Sequence, residues 1–208
     1  MCSSSPIIWP PRLLLTLQKH IETVENAENP AIPPMDNNLK TICIFFDNCH
    51  SALADRLAQK GFDYDLTDYC IHFLCEILEE ACMQTFLLPR ERRIITSMLR
   101  HKVRKTAVAP RSKVTTEQTS RKVPKMEVDA VETRGEGRLF TSLLSLEYLL
   151  RLFFTLPPVL EHYDKLGASV MPPYAKRPIW EFVNECLNLL NNIPDAFSPI
   201  SSYIPLKK

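Results

Sequence analysis

Glycine is scarce in this chain, with four residues in 208, whereas proline occurs seventeen times. This imbalance predicts helices that are separated by proline stops rather than β-hairpins. A run long enough for a membrane is also missing. The most apolar stretch, residues 145–157, is interrupted by Glu147 and Arg151 and reaches Pro157 before the roughly 20 apolar residues that a spanning helix needs. We therefore expect an all-α protein without a membrane span, in which this stretch is the enclosed central helix.

Motifs for catalysis and metal binding are missing as well. The sequence contains no glycine-rich phosphate loop, no nucleophile elbow and no paired-histidine helix of a metalloprotease. Cys70, His72 and Cys75 do not converge on one point of a helix, and Cys49 and His50 point in different directions. The sequence thus predicts no catalytic residue, no metal, no cofactor and no small-molecule substrate, which favours a binding or scaffold protein.

The seven cysteines are an odd number, and no signal-peptide pattern precedes them. Several lie within helical patterns, where cysteine packs as a small hydrophobic side chain. We interpret them as reduced thiols of a cytosolic or nuclear protein.

Apolar spacing predicts six helices. The first begins at Pro10-Pro11, and Leu13, Leu17, Ile21 and Val24 recur in it at helical spacing. A second is capped by residues 36–38 and ends at Gly61, although residues 42–46 alone also fit a strand. The others extend from Thr67 towards Pro89, from Arg90 to about Arg104, through residues 145–157, and from Ile179 to Pro194, followed by an extended tail.

Residues 106–137 have no aromatic side chain and no helical apolar repeat, which predicts a disordered basic and polar insertion. Residues 1–105 and 138–208 then form one helical domain. Twelve lysines and arginines against two glutamates lie between Arg90 and Lys125. This segment, residues 90–125, suggests contacts with phosphates or a nuclear import receptor through Arg121, Lys122 and Lys125. A flexible, solvated tether is an equally good interpretation.

Three segments resemble the MRG domain of the MRG and male-specific-lethal chromatin proteins. Residues 146–153 are similar to the family's "HLLRLF" helix, with Tyr148 in place of the histidine. Residues 181–190 resemble its last helix, and residues 197–203 resemble its "LFSASDY"-type ending. At the start, Leu13 and Leu17 match the family pattern, whereas Ile21 stands where a tryptophan is usual.

The resemblance implies an MRG-like orthogonal helical bundle without a chromodomain. It also implies a non-catalytic nuclear adaptor in histone acetyltransferase or deacetylase complexes, which binds peptides of other subunits in an apolar groove and so regulates transcription. Carried over by position, the groove comprises Trp9, Leu13, Leu17, Gln18, Ile21, Tyr148 and Leu152. The alternative function is nucleic-acid binding through the basic segment. A remote option is an enzyme with a cysteine nucleophile.

Overall fold

The computed structural model describes residues 7–26, 28–35, 40–108, 139–165 and 173–206. Within these ranges the chain forms six α-helices and one short two-stranded sheet, so the all-α prediction is confirmed. The helices are α1 (Pro11–Glu25), α2 (Ile42–Gln59), α3 (Leu66–Ala81), α4 (Pro89–Val108), α5 (Leu146–Lys165) and α6 (Pro173–Asn192). A π-helical turn, Cys82–Phe86, connects α3 to α4.

Proline and glycine set several helix ends as predicted. Pro11 opens α1, where its fixed φ suits the first turn and its missing N–H costs nothing. Gly61 follows α2 with a φ of +83°, a conformation that residues with a Cβ rarely adopt. The run at residues 42–46 is helical rather than extended, because α2 begins there.

Three boundaries differ from the predictions. The side chain of Thr41 accepts a hydrogen bond from the Ile44 N–H and caps α2. The cap is therefore not one of the predicted residues 36–38, and those residues lie outside the described ones. The central helix does not stop at Pro157-Pro158 but continues through both to Lys165. Similarly, the last helix begins at Pro173 and not at Ile179, so Pro178 lies inside it. Proline removes a hydrogen-bond donor from the helix interior. The neighbouring side chains Leu156, Leu160 and Ile179 are buried in the core, and their packing offsets that local cost.

The part of the chain after residue 138 packs against the part before it. Helix α1 contacts α5 and α6, and α2 contacts α3, α5 and α6. Strands β1 (Ala31–Ile32) and β2 (Ile204–Pro205) pair antiparallel, with Ala31 opposite Pro205, and the Leu206 N–H donates to the Pro30 carbonyl at 2.7 Å. The C-terminal tail is thereby fixed along the N-terminal segment.

Helix α4 reaches Val108, three residues beyond the boundary predicted for the insertion. The remainder of that predicted insertion, residues 109–137, lies outside the described residues, as do Arg121, Lys122 and Lys125. One continuous core is formed by apolar side chains from all six helices, and it includes Leu13, Phe46, Leu74, Ile95, Phe153 and Phe182.

Candidate functional site

Large apolar side chains are exposed in the segment before α1, on α1 and on α5. Ile8 is 78% exposed, Leu14 45%, Leu15 51% and Phe154 50%. The half-buried Trp9 ring contacts the Phe154 ring edge-to-face, with 6.1 Å between the ring centroids. Leu15 lies on the side of α1 opposite its buried residues, so we call Ile8, Trp9, Leu14 and Phe154 the α1–α5 apolar face. Exposed apolar side chains that form one patch mark interaction sites.

Four of the residues predicted to line a peptide groove are interior residues instead. Leu13, Leu17, Tyr148 and Leu152 are at most 2% exposed, so no partner can reach them in this conformation. In this conformation the four side chains belong to the core, and partner binding by the predicted set stays a prediction. Helical spacing identifies which positions of α1 share a side, but it does not tell which side faces the core.

The other three predicted positions retain access to solvent. Gln18 is exposed, and its side-chain amide donates to the Glu22 carboxylate at 2.8 Å. Trp9 and Ile21 are half-buried and pack against the core. Of the predicted set, only Trp9 belongs to the α1–α5 apolar face. Phe154 was missed because the central helix is apolar on every side, which predicted complete enclosure.

The interior of the bundle contains an ion pair, Glu91–Arg151, whose carboxylate has three partners. Glu91 is fully buried, and its carboxylate accepts from the Arg151 guanidinium at 2.9 and 3.1 Å. It also accepts from the Tyr148 hydroxyl at 2.8 Å and from the Leu88 N–H at 2.6 Å. The last bond is half of a capping box, in which a glutamate at the third helical position satisfies the N-cap amide. Burial, followed by the Glu91 charge, raises the pKa of Tyr148 well above its ordinary value.

His20 is the second buried titratable group near this ion pair. Its ring lies edge-on to Tyr148 and Tyr203, and Nδ1 is 3.3 Å from the Tyr203 hydroxyl. Its Nε2 atom has no hydrogen-bond partner among the described residues. Burial, together with the positive charge of Arg151, lowers the pKa of His20 from 6.5 to about 3. The imidazole is therefore neutral at pH 7.

Glu147 and Arg151, the two charges in the first turns of α5, are both buried and both have partners. The Glu147 carboxylate accepts from the Ser198 N–H at 2.7 Å and so holds the C-terminal tail against α5. Arg151 pairs with Glu91 as described. Both charges therefore belong to the fold and neither is available to a ligand.

The cysteines and histidines do not form a reactive cluster in the part of the chain that the structure describes. No group of three or more His, Cys, Asp and Glu side chains is positioned there to hold a metal ion. Cys70 and Cys75 are buried, whereas His72 is exposed beside Glu76. Burial raises the pKa of Cys70 and of Cys82 to about 12, so both thiols are protonated at pH 7.

Among the described helices, none combines the length and the apolar character that crossing a bilayer requires. No protein-family profile and no curated protein matches the sequence.

Proposed function

We propose that this chain is a non-catalytic helical adaptor that docks short apolar peptide segments of other proteins. The observation that carries the proposal is the α1–α5 apolar face. Ile8, Leu14 and Phe154 are each exposed by about half or more. Burying such side chains against a partner recovers about 25 cal/mol for each Å² of apolar surface removed from water.

The geometry of this face suits a peptide with one or two apolar anchors. The Trp9–Phe154 contact joins the segment before α1 to the middle of α5, and the Ile8 N–H donates to the Asn184 side chain at 2.8 Å. The N-terminal segment is therefore held in place before any partner arrives. Preorganised aromatic side chains are frequent anchors of binding energy, because little conformational entropy is lost on docking.

We further propose that the host is a nuclear chromatin-modifying complex of the histone acetyltransferase or deacetylase type. Support for this comes from the resemblance of residues 146–153, 181–190 and 197–203 to MRG-domain segments. In the structure these segments lie in α5, in α6 and in the tail, which Glu147 links to α5. The exposed face by itself supports an adaptor, whatever complex hosts it.

The test is affinity purification of the full chain from nuclear extract, followed by mass spectrometry. The variant Leu14→Asp/Phe154→Asp places two charges on the face and replaces no buried residue. The matched control is Tyr64→Asp/Leu139→Asp, because these residues are 50% and 41% exposed at other places on the surface. A variant at Leu17 would be unsuitable, since that residue is 2% exposed and its replacement by aspartate would unfold the core.

We expect chromatin-complex subunits to be recovered with the wild type and with the control, and to be lost from a folded Leu14→Asp/Phe154→Asp protein. Circular dichroism verifies the fold. Recovery of the same partners by both variants would show that the apolar face is not the docking surface. Recovery of partners that include no chromatin subunit would refute the proposed host while leaving the face in place.

The alternative, nucleic-acid binding through the basic segment 90–125, is favoured by one observation. Arg93 and Arg100 are exposed on α4, one above the other at a spacing of two turns. If this segment binds nucleic acid, deletion of residues 109–138 should weaken binding to a DNA duplex, and affinity should fall steeply with salt. An affinity that is unchanged between 50 and 200 mM salt would contradict this alternative.

A further inference from the structure

A cavity of about 500 Å³ lies between α1 and the C-terminal segment 195–203. This volume falls within the range of about 300–1,000 Å³ that is typical of ligand sites. Arg12, Thr16 and Lys19 contribute one wall, and they recur at the spacing that places side chains on one side of a helix. Leu14 lies two positions after Arg12, about 200° round the helix, so the cavity and the exposed side of Leu14 are separate surfaces.

The charges around the cavity are mainly positive. Arg12, Lys19 and Lys40 line it, and Asp195 is the one acidic residue among the described residues that line it. Arg12 is fixed in place, because its guanidinium donates to the carbonyl of Asn191 at 2.6 Å and to that of Ile193 at 3.4 Å. Lys40 acts on the Glu147 carboxylate through its charge, but neither Lys19 nor Lys40 has a described carboxylate within ion-pair distance.

The opposite wall is apolar and is held by hydrogen bonds. It comprises Phe197, Pro199, Ile200 and Tyr203, of which Ile200 is 44% exposed. The Tyr203 N–H donates to the Ile200 carbonyl at 3.1 Å, closing a short turn. The tail reaches this position because Asp195 adopts a φ of +55° just after α6, a left-handed conformation that aspartate tolerates better than most residues. The cavity therefore exists before a ligand arrives.

We propose that this cavity is a second docking site, which takes an acidic peptide segment of a partner protein. The carboxylates of the peptide would pair with Lys19 and Lys40, and an apolar side chain between them would pack on Ile200 and Phe197. Two ammonium groups, neither with an ion-pair partner among the described residues, line the cavity together with an apolar wall, and this combination fits a segment that alternates acidic and apolar residues. The proposal is independent of the apolar face, because it uses different residues and a different chemistry.

Peptide fits the site better than a phosphate or a nucleic acid does. The planar guanidinium, which recognises phosphate in a bidentate manner, is already committed to two backbone carbonyls at Arg12. The Tyr203 ring is 8% exposed and turned towards His20, so its face is not open to a stacking base. Lysines beside an apolar wall are suited to carboxylates that are carried on an amphipathic chain.

The test is fluorescence anisotropy with the full chain and a labelled octapeptide of alternating glutamate and leucine. The comparison peptide alternates glutamine and leucine. We expect the acidic peptide to bind more tightly than the neutral one, and the variant Lys19→Glu/Lys40→Glu to weaken its binding by about tenfold at low salt. The matched control, Lys165→Glu/Arg177→Glu, changes the net charge equally at two exposed positions, on α5 and α6, outside the cavity lining. It should leave the affinity unchanged.

Equal affinity of the wild type and Lys19→Glu/Lys40→Glu would overturn the proposal. So would an equal loss in both charge-reversal variants, or no binding by the wild type at about 1 mM peptide. Competition by a single-stranded oligonucleotide at equal concentration would identify a general anion site instead. Residues 126–130 of this chain also alternate apolar and acidic side chains. If deletion of residues 126–137 tightens peptide binding, the occupant is this chain's own segment and not a partner's.

Discussion

Replacing Glu91 with alanine should destabilise the protein by about 3–5 kcal/mol, because it leaves the Arg151 guanidinium buried without a counter-charge. Glu91 is 0% exposed, and its carboxylate lies 2.9 Å from the Arg151 guanidinium. The same substitution removes the acceptor of the Tyr148 hydroxyl and of the Leu88 N–H. Since a domain is stabilised by only about 5–15 kcal/mol in total, this loss would be a large fraction of the whole.

The chain provides a matched control for this prediction. Glu161 pairs with Lys165 at 2.9 Å, the same distance, but these side chains are 59% and 72% exposed. Because solvent screens such a pair, Glu161→Ala should change stability by no more than about 0.5 kcal/mol. The two ion pairs thus have the same nitrogen–oxygen distance and differ in their burial.

Urea denaturation followed by circular dichroism at 222 nm measures both variants. Glu91→Gln preserves the shape and should cost less than Glu91→Ala, so it serves if the alanine variant does not fold. A double-mutant cycle with Arg151→Met isolates the pairwise energy. If Glu91→Ala costs no more than Glu161→Ala, the reasoning from burial is refuted.

Three further predictions concern titration, thiol reactivity and helix capping. Because the pKa of His20 is about 3 in the folded protein and 6.5 ordinarily, the unfolded chain takes up a proton below pH 6.5 that the folded chain does not bind. Stability should therefore fall by about 2 kcal/mol more in the wild type than in His20→Leu between pH 7 and pH 5, and equal losses in urea titrations would contradict this. Cys70 and Cys82, with pKa values of about 12, should react with iodoacetamide roughly 1,000-fold more slowly in the folded protein than after unfolding. Peptide mapping measures this, and fast native labelling would revive the nucleophile hypothesis. Thr41→Ala should lower stability by about 1 kcal/mol through loss of the α2 cap, whereas Thr41→Ser should restore most of it; thermal melts that show no difference would refute the capping role.

The sequence predicted the helices well where local chemistry determines their ends. Pro11 begins α1 and Gly61 follows the end of α2 because of their own backbone preferences. Local chemistry failed at Pro157 and Pro178, since both lie inside helices that tertiary packing holds together. The capping role of Glu91 could have been predicted from its place three residues after Leu88. Its pairing with Arg151, sixty residues further along the chain, could not.

Which side chains of the predicted groove are exposed could not be predicted from the sequence. Of the predicted residues on α1 and α5, Leu17 and Tyr148 are buried. An apolar stripe is read from spacing, and spacing is the same for a buried side and for an exposed one. Phe154 and the cavity wall at Ile200 depend on how distant segments meet, which no local pattern contains.

The position of α1 has a consequence for the synthesis of this protein. The contacts that hold it, from Arg12 to Asn191 and from His20 to Tyr203, join residues 179 and 183 positions apart. At about 5–20 residues per second on the ribosome, the first helix would wait roughly 9–37 s for the segments that make these bonds. Its apolar side, with Leu13 and Leu17, stays exposed to other nascent chains until α5, which contacts α1, has been made. Translation speed, and any chaperone that covers the first helix, should therefore influence the yield of folded protein.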